Sequence, residues 1–537
     1  MQSGATPKNV AHNASRATDA EHSMSFWQSI KKYPKAVGWS VLLSTALVME
    51  GYDVTLLGNL FSQPAFQKRF GVSDGKGGYQ VTAPWQSGLS NTFNVGSIMG
   101  LLIAGTCAER FGYRRTMMGA LTMIIGAIFV VFFANGLLML LFGEILCSMC
   151  WGIFQTITVT YASEVCPLTL RAYLTTYVNL CWVIGQFIGA GVLRAVVDRT
   201  DQWAYRIPFA IQWIWPIPLI TGIFFAPESP WWLVRKGRNA EAEKALRRLT
   251  SVDPLDESST NDTLSLIIYT TELEKSQQEG TSYWDCFRGI DLRRTEIVCC
   301  VYAIQVTCGC PIMGYSVYFM EQAGFSPRNA FSMSIGQSGI GAIGTISSWF
   351  LMAHVGRRTL YLAGAVLMAL VLLIIGFIGL APKSNTGAQW GIGTLLLVLT
   401  FVYDITIGPV CYSLTPELSS TRLRNKSVVL ARVAYNIAGI LANVLQPYML
   451  NPTSWNWGAK SAFFWVATCA ISVAWIFWRL PEPKDRTYAE LDVLFRNRTP
   501  ARKFKTTTVD AFIYAEEIEG KLAKHEKDTT AVHIEEL

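Results

Sequence analysis

Apolar runs of about twenty residues recur along the chain, separated by short polar segments, and twelve can be counted. Their approximate limits are 37–59, 87–106, 116–134, 137–160, 172–193 and 208–226, then 297–320, 330–353, 359–380, 392–414, 427–449 and 459–480. A run of this length is what an α-helix needs to cross the hydrocarbon of a bilayer. A polar stretch, 227–296, separates the sixth run from the seventh, and it holds the helix-like EAEKALRRL. The pattern predicts an all-α membrane protein with twelve transmembrane helices in two six-helix halves. The expected divisions are a cytosolic tail over 1–36, a first half over 37–226, a cytosolic linker with short helices over 227–296, a second half over 297–480, and a cytosolic tail over 481–537. Six spans, a polar stretch and six spans form the layout of a duplicated transporter.

Composition agrees. Of the 537 residues 51% are hydrophobic and 15% charged, against roughly 25% charged in soluble chains. The net charge of +7 calls for no nucleic acid, because Lys and Arg cluster in short loops, where they set orientation. Lys31, Lys32 and Lys35 precede the first run, no cleavable signal is visible, and both termini are expected in the cytosol. The longest outer loop, Ser62 to Gln86, still holds Lys68, Arg69 and Lys76, so the bias is a tendency. The twelve cysteines fall mostly inside apolar runs and read as small reduced packing residues. Four of the five histidines lie in the tails, and the fifth, His354, is expected at a cytosolic helix end. Proton movement is therefore expected to use carboxylates.

The first run carries two acids, Glu50 and Asp53. Ionisable groups in a membrane span are costly and mark function. Three residues apart on a helix, they share a face, and that face is expected to meet a water-filled cavity. Glu144 in the fourth run lies at a similar depth to Glu50. Several carboxylates in one low-dielectric pocket cannot all be ionised together. Asp404 lies near the middle of the tenth run and requires a polar partner. Arg432, about five residues from the cytosolic end of the eleventh run, reads either as a counter-charge or as a snorkelling side chain.

Motifs repeat six runs apart. Glu109-Arg110 with Arg114 and Arg115 is matched by Gly356-Arg357-Arg358. Ser163-Glu164 with Arg171 is matched by Pro416-Glu417 with Arg422 and Arg424. Pro227-Glu228-Ser229-Pro230 is matched by Pro481-Glu482-Pro483-Lys484. Acids and arginines at cytosolic helix ends could pair across the halves and hold that side shut until the halves rock apart. This marks Glu109, Arg110, Arg114, Arg115, Glu164, Arg171, Arg357, Glu417 and Arg422 as gating candidates. Ordinary snorkelling explains single arginines but not the repeated acid-plus-Arg spacing.

These motifs resemble the sugar porters of the major facilitator superfamily. Gly51-Tyr52-Asp53, Gln305 with Gly309, and Gly408-Pro409-Val-Cys-Tyr412 with Glu417 are similar to that family's first-, seventh- and tenth-span motifs. WGIFQTITVTYASEVCPLTLRAYLTTYVNLCW, PFAIQWIWPIPL, FFAPESPWWLVRKGR, WNWGAKSAFFW and PARKFK narrow the resemblance to the fungal maltose permeases, which are α-glucoside–proton symporters. It implies the major facilitator fold, a cavity between the halves, alternating access, and proton-driven sugar import at the plasma membrane by a monomer without cofactors. The departures are Glu144 where sugar porters carry arginine, Val306 for a second glutamine, Pro311 for asparagine, Tyr412 for tryptophan and Ser97 for a second-span glutamate.

On this resemblance Asp53, Glu50, Glu144 and Arg432 are the proton-coupling candidates. Sugar hydroxyls need amides that both donate and accept, and the ring's C–H side needs aromatic faces. The candidates are Gln186, Gln305, Tyr412 and Asn436, with Gln155, Thr158 and Asn179 weaker. For each, bonding between helices is the competing role. Trp213 and Trp215 are expected to pack. No nucleophile–base pair, metal site or nucleotide loop is evident, so no enzyme is expected. A transporter-like sugar sensor, or a symporter for sucrose, trehalose, raffinose or a β-glucoside, is the alternative.

Overall fold

The computed structural model describes residues 26–73, 78–251, 257–278, 282–382, 384–420, 423–484, 486 and 488–507. Twelve long helical rods are present. The first half comprises Pro34–Ser44 continued by Ala46–Leu60, then Ala83–Phe111, Tyr113–Phe132, Leu137–Val165, Leu168–Val196, and Trp203–Ile211 continued by Pro216–Phe225. The second comprises Gly289–Thr307 continued by Cys310–Gly314 and Ser316–Gln322, then Pro327–His354, Arg357–Ile378, Thr386–Ile405 continued by Ile407–Leu418, Arg424–Leu450, and Ser461–Arg479. Pro230–Arg235, Asn239–Leu249 and Glu257–Gln278 form helices between the halves, and Tyr488–Arg496 follows the last rod. Among the described residues nine helices are long and apolar enough to cross a membrane. The second, seventh and eighth rods are the more polar ones, and all three contact the other half.

Glycine sets the closest approaches. A Cβ on Gly51 would stand 2.0 Å from the carbonyl oxygen of Trp182, and one on Gly185 would stand 2.0 Å from that of Val48. The first and fifth spans therefore lock backbone to backbone. Gly100 and Gly152 do the same for the second and fourth, where a Cβ would meet Met149 O at 2.1 Å and Ser97 O at 2.4 Å.

Several spans are broken beside their polar residues. The seventh breaks at Gly309, whose φ of +100° favours glycine, with Pro311 opening the next turn. The tenth breaks at Thr406, before Gly408-Pro409. The sixth passes through a 3₁₀ turn at Gln212–Ile214 and resumes at Pro216.

Hydrogen bonds between the halves lie, among the described residues, at mid-depth or on the face opposite the linker. On that face Asn451 Nδ2 donates to Val81 O at 2.9 Å, Asn443 Nδ2 to Ser90 O at 3.2 Å, Tyr318 OH to Gln80 Oε1 at 3.2 Å, and Arg194 Nε to Ser332 Oγ at 2.8 Å. The conformer is thus closed on the opposite face.

Candidate functional site

Span-to-span glycine contact presses the first span against the fifth, and this points Glu50 and Asp53 inward, where each is buried. Glu50 Oε1 accepts a hydrogen bond from Gln155 Nε2 of the fourth span and one from Trp182 Nε1 of the fifth at 3.1 Å. The other end of the same amide, Gln155 Oε1, accepts from Arg432 Nη2 of the eleventh span at 2.7 Å. Arg432 lies over the Tyr435 ring at 4.9 Å and the Tyr302 ring at 5.7 Å. It points into the protein and does not snorkel. One amide thus bridges an acid of the first half and a cation of the second.

Asp53 has a separate shell. Its Oδ2 accepts from Trp151 Nε1 at 2.9 Å, and its Oδ1 from Gln212 Nε2 at 2.6 Å. Gln212 sits in the 3₁₀ break of the sixth span, which turns its amide toward the acid. Glu144, seven residues before Trp151 on the same helix, faces Asp53. Its two oxygens meet no N–H donor among the described residues. Tyr52, between the two acids, donates its hydroxyl to Pro208 O at 2.7 Å and so ties the first span to the sixth.

The sugar-binding candidates divide. Gln305 Nε2 donates to Gly408 O at 3.0 Å, so its amide joins the seventh and tenth spans at their breaks. Gln155 is occupied at both ends. Asn436 is buried, and its Nδ2 has no hydrogen-bond partner among the described residues. Tyr412 is 37% exposed and stands edge-on to Tyr302, with centroids 6.0 Å apart. Gln186 is half-buried on the fifth span. Of the weaker candidates, Asn179 Nδ2 reaches Thr345 Oγ1 across the halves at 3.4 Å, and Thr158 bonds its own helix. Trp213 and Trp215 pack, against Phe129 and Tyr52.

The polar partner expected for Asp404 is not found among the described residues. The carboxyl is seated instead in a notch left by Gly341 and Gly344 of the eighth span, where a Cβ on Gly341 would come 2.7 Å from Asp404 Oδ2.

At the linker face the repeated motifs make bonds within each half. Glu228 accepts from the N–H groups of Tyr113 at 3.0 Å and Arg114 at 3.2 Å, capping the start of the third span. Glu482 accepts from Arg358 N at 3.1 Å and Thr359 N at 3.4 Å, capping the ninth. Glu164 accepts from Ser229 Oγ and Tyr113 OH and pairs with Arg235 at 2.8 Å. Glu417 pairs with Arg357 at 3.5 Å. Burial raises Glu228 above the usual carboxylate range, against its three backbone N–H bonds. Glu109 offers its backbone oxygen to Trp232 Nε1 at 3.0 Å, Arg110 lies over Phe111, and Arg114 reaches Ala226 O at 3.4 Å. Arg115 lines a 260 Å³ cleft with Arg114 and Arg248. The side chain of Arg171, and Arg422 itself, lie outside the described residues. The expected acid–arginine pairs between the halves are not formed among the described residues of this conformer. The pairs that form close within a half or onto the linker.

Trp151, Trp182 and Gln212 were not legible as site residues. An indole in an apolar run reads as packing. Only the motif acids beside them hint that an N–H donor is needed there.

Two bundles with buried acids at their centre, closed on one face, define a multi-pass membrane transporter of the major facilitator type. Residues 39–495 match the family described as "Sugar (and other) transporter", and the chain belongs to it. It is 43% identical to maltose permease MAL31 of Saccharomyces cerevisiae over 529 residues, covering 97% of this chain and 86% of the permease. It is also 43% identical to the general alpha-glucoside permease of the same species over 508 residues, covering 94% and 82%. In fold it resembles the inward-open xylose transporter XylE from E. coli, with a TM-score of 0.69 at 18% identity over 86% of this chain and 99% of that one. The XylE proton:xylose symporter bound to 6-bromo-6-deoxy-D-glucose gives 0.67 at 20% identity, with coverage of 86% and 99%.

Proposed function

We propose that this protein imports α-glucosides such as maltose together with protons, by alternating access, as a monomer in the plasma membrane with both termini and the linker cytosolic. The observation that carries the reading is the buried chain Glu50–Gln155–Arg432 beside the Asp53–Glu144 pair. Acids of the first half and a cation of the second share one amide, so a change of charge at Glu50 alters what joins the halves. Identity to maltose and α-glucoside permeases over nearly the whole chain supports the substrate class.

In this reading a proton from outside neutralises a first-span acid, and sugar enters between Asn436, Tyr412, Gln186 and Gln305. The halves then rock about their mid-depth contacts. The outer bonds of Asn451, Asn443 and Tyr318 close, giving the conformer described. Sugar and proton leave on the linker face, whose acid–arginine motifs pair across the halves only in the opposite conformer. The test is uptake of a panel of labelled sugars by a transporter-deficient host expressing the chain, with external pH followed in parallel. Uptake of maltose with alkalinisation of the medium is expected. Uptake of none of the panel sugars would sink the reading.

A further inference from the structure

A 420 Å³ cleft on the linker face lies between the start of the seventh span, the end of the twelfth, and the C-terminal segment. It is lined by Gly289, Ile290, Arg293, Trp478, Arg479, Phe495, Arg498, Pro500 and Ala501. Three of these are arginines and none is an acid. Arg479 pairs with Glu296, which stands outside the lining. Arg293 spends one donor on Thr499 O at 3.0 Å. Arg498, held at a φ of +52°, donates its backbone N–H to Phe495 O at 3.0 Å, while its guanidinium makes no hydrogen bond or ion pair among the described residues. Arg293 stands four residues before the apolar run, within reach of the charges of Arg479 and Glu296. Three like charges converge here on one carboxylate, Glu296, which pairs with Arg479 and lies near Arg293.

Two further features bear on what could neutralise them. Gly289 and Ile290 open a 19-residue helix whose first turn has no side-chain cap from its N-cap residue, Arg288, so backbone N–H groups add to the positive end. Asp291 in that turn does not line the cleft. Trp478 is 63% exposed beside Arg479, and an exposed indole at the end of a span sits at headgroup depth. The cleft therefore opens where phospholipid phosphates lie.

We propose that this cleft binds a phosphate-bearing anion, either the headgroup of an anionic phospholipid or a soluble phosphate compound, and that occupancy fastens the C-terminal segment to the second half. The segment has the attachments for this. Arg294, buried, donates to Leu418 O at 2.9 Å and Ser419 O at 3.0 Å, bonds Asp492, and lies over the Phe495 ring at 4.6 Å. Arg486 donates to Thr507 O at 2.7 Å. An anion held between Arg293, Arg479 and Arg498 would join the segment to both span ends.

The experiment uses the full chain in lipid nanodiscs. Hydrogen exchange of residues 488–507 is compared in phosphatidylcholine alone, in phosphatidylcholine with phosphatidylinositol 4,5-bisphosphate, and in phosphatidylcholine with soluble inositol hexakisphosphate. Protection is expected to rise in one or both anionic arms, and which arm responds identifies the source. In Arg498→Gln and Arg293→Gln the midpoint for the responding anion should weaken by roughly fivefold per arginine. Thermal unfolding in the neutral discs shows that each variant is folded. Equal protection in all three arms, or a response unchanged in the folded double variant, overturns the site.

Discussion

Arg432 of the eleventh span and Glu50 of the first never touch, yet each bonds an opposite end of the Gln155 side chain. An amide has a donor end and an acceptor end, so it can join a cation to an anion only in this one orientation. Gln155→Leu keeps the approximate volume and removes both bonds. It is expected to abolish sugar accumulation, and Arg432→Gln to do the same. The double variant should be no worse than either single one, since all three break one connection. Additive losses in initial uptake rate would show that the two residues act separately.

Asp53→Asn keeps the shape of the side chain but cannot lose a proton. Trp151 and Gln212 would still pack around it. The variant should exchange sugar across the membrane yet fail to concentrate it, and to a greater degree than Glu50→Gln. Glu144→Gln, which removes the carboxyl that faces Asp53, should keep accumulation with a displaced pH profile. These outcomes are read from accumulation with and without an uncoupler. Uncoupler-sensitive accumulation by Asp53→Asn would make the first-span acids structural.

Gln305 and Asn436 separate two jobs that look alike in a sequence. Gln305 already bonds Gly408 O between the two span breaks. Its replacement by Ala should cost about 1 kcal/mol of stability as well as sugar affinity. Asn436 Nδ2 has no partner to lose among the described residues. Asn436→Ala should weaken maltose affinity roughly five- to tenfold and leave the unfolding midpoint unchanged. A fall in the midpoint without a change in affinity would remove Asn436 from the sugar site.

Glu321, in the last helix of the seventh span, Ser316–Gln322, faces Ser62 and Gln67 across the closed opposite face. Opening that face would return water to the carboxyl, and a carboxyl shut away from water is harder to ionise than a hydrated one. Acid should favour the closed face, and Glu321→Gln should remove that dependence. Distances between spin labels on the second and eleventh spans, followed from pH 5 to 8, would measure it. An identical response in wild type and Glu321→Gln would exclude Glu321 as the titrating group.

Much of this is legible in the sequence. The twelve spans follow from run length, and the inward face of the first span follows from two acids three residues apart. The motif pairs marked the linker-face ends of the spans. What they bond was not readable. Glu228 and Glu482 cap the third and ninth helices, a relation that depends on which helix starts lie beside them in space. Glu144 was legible as an acid in the fourth run at a depth similar to Glu50, but not as the carboxyl that meets Asp53. Trp151, Trp182 and Gln212 were hidden because indoles and amides carry no periodic signal. Asp404 needed a partner by the rules of burial, and the glycine notch that receives it consists of missing side chains.

The two capping acids have a consequence for how the molecule could be assembled. Each half has its third helix fastened by the acid that follows its last span, and each carries an acid–arginine pair, Glu164 with Arg235 of the linker and Glu417 with Arg357. Among the described residues no hydrogen bond or ion pair joins the two halves at that face. The peptide connection between them is then a tether and not a strut. Two polypeptides cut within 252–256, made in one cell, should find each other through the mid-depth and opposite-face bonds and restore uptake.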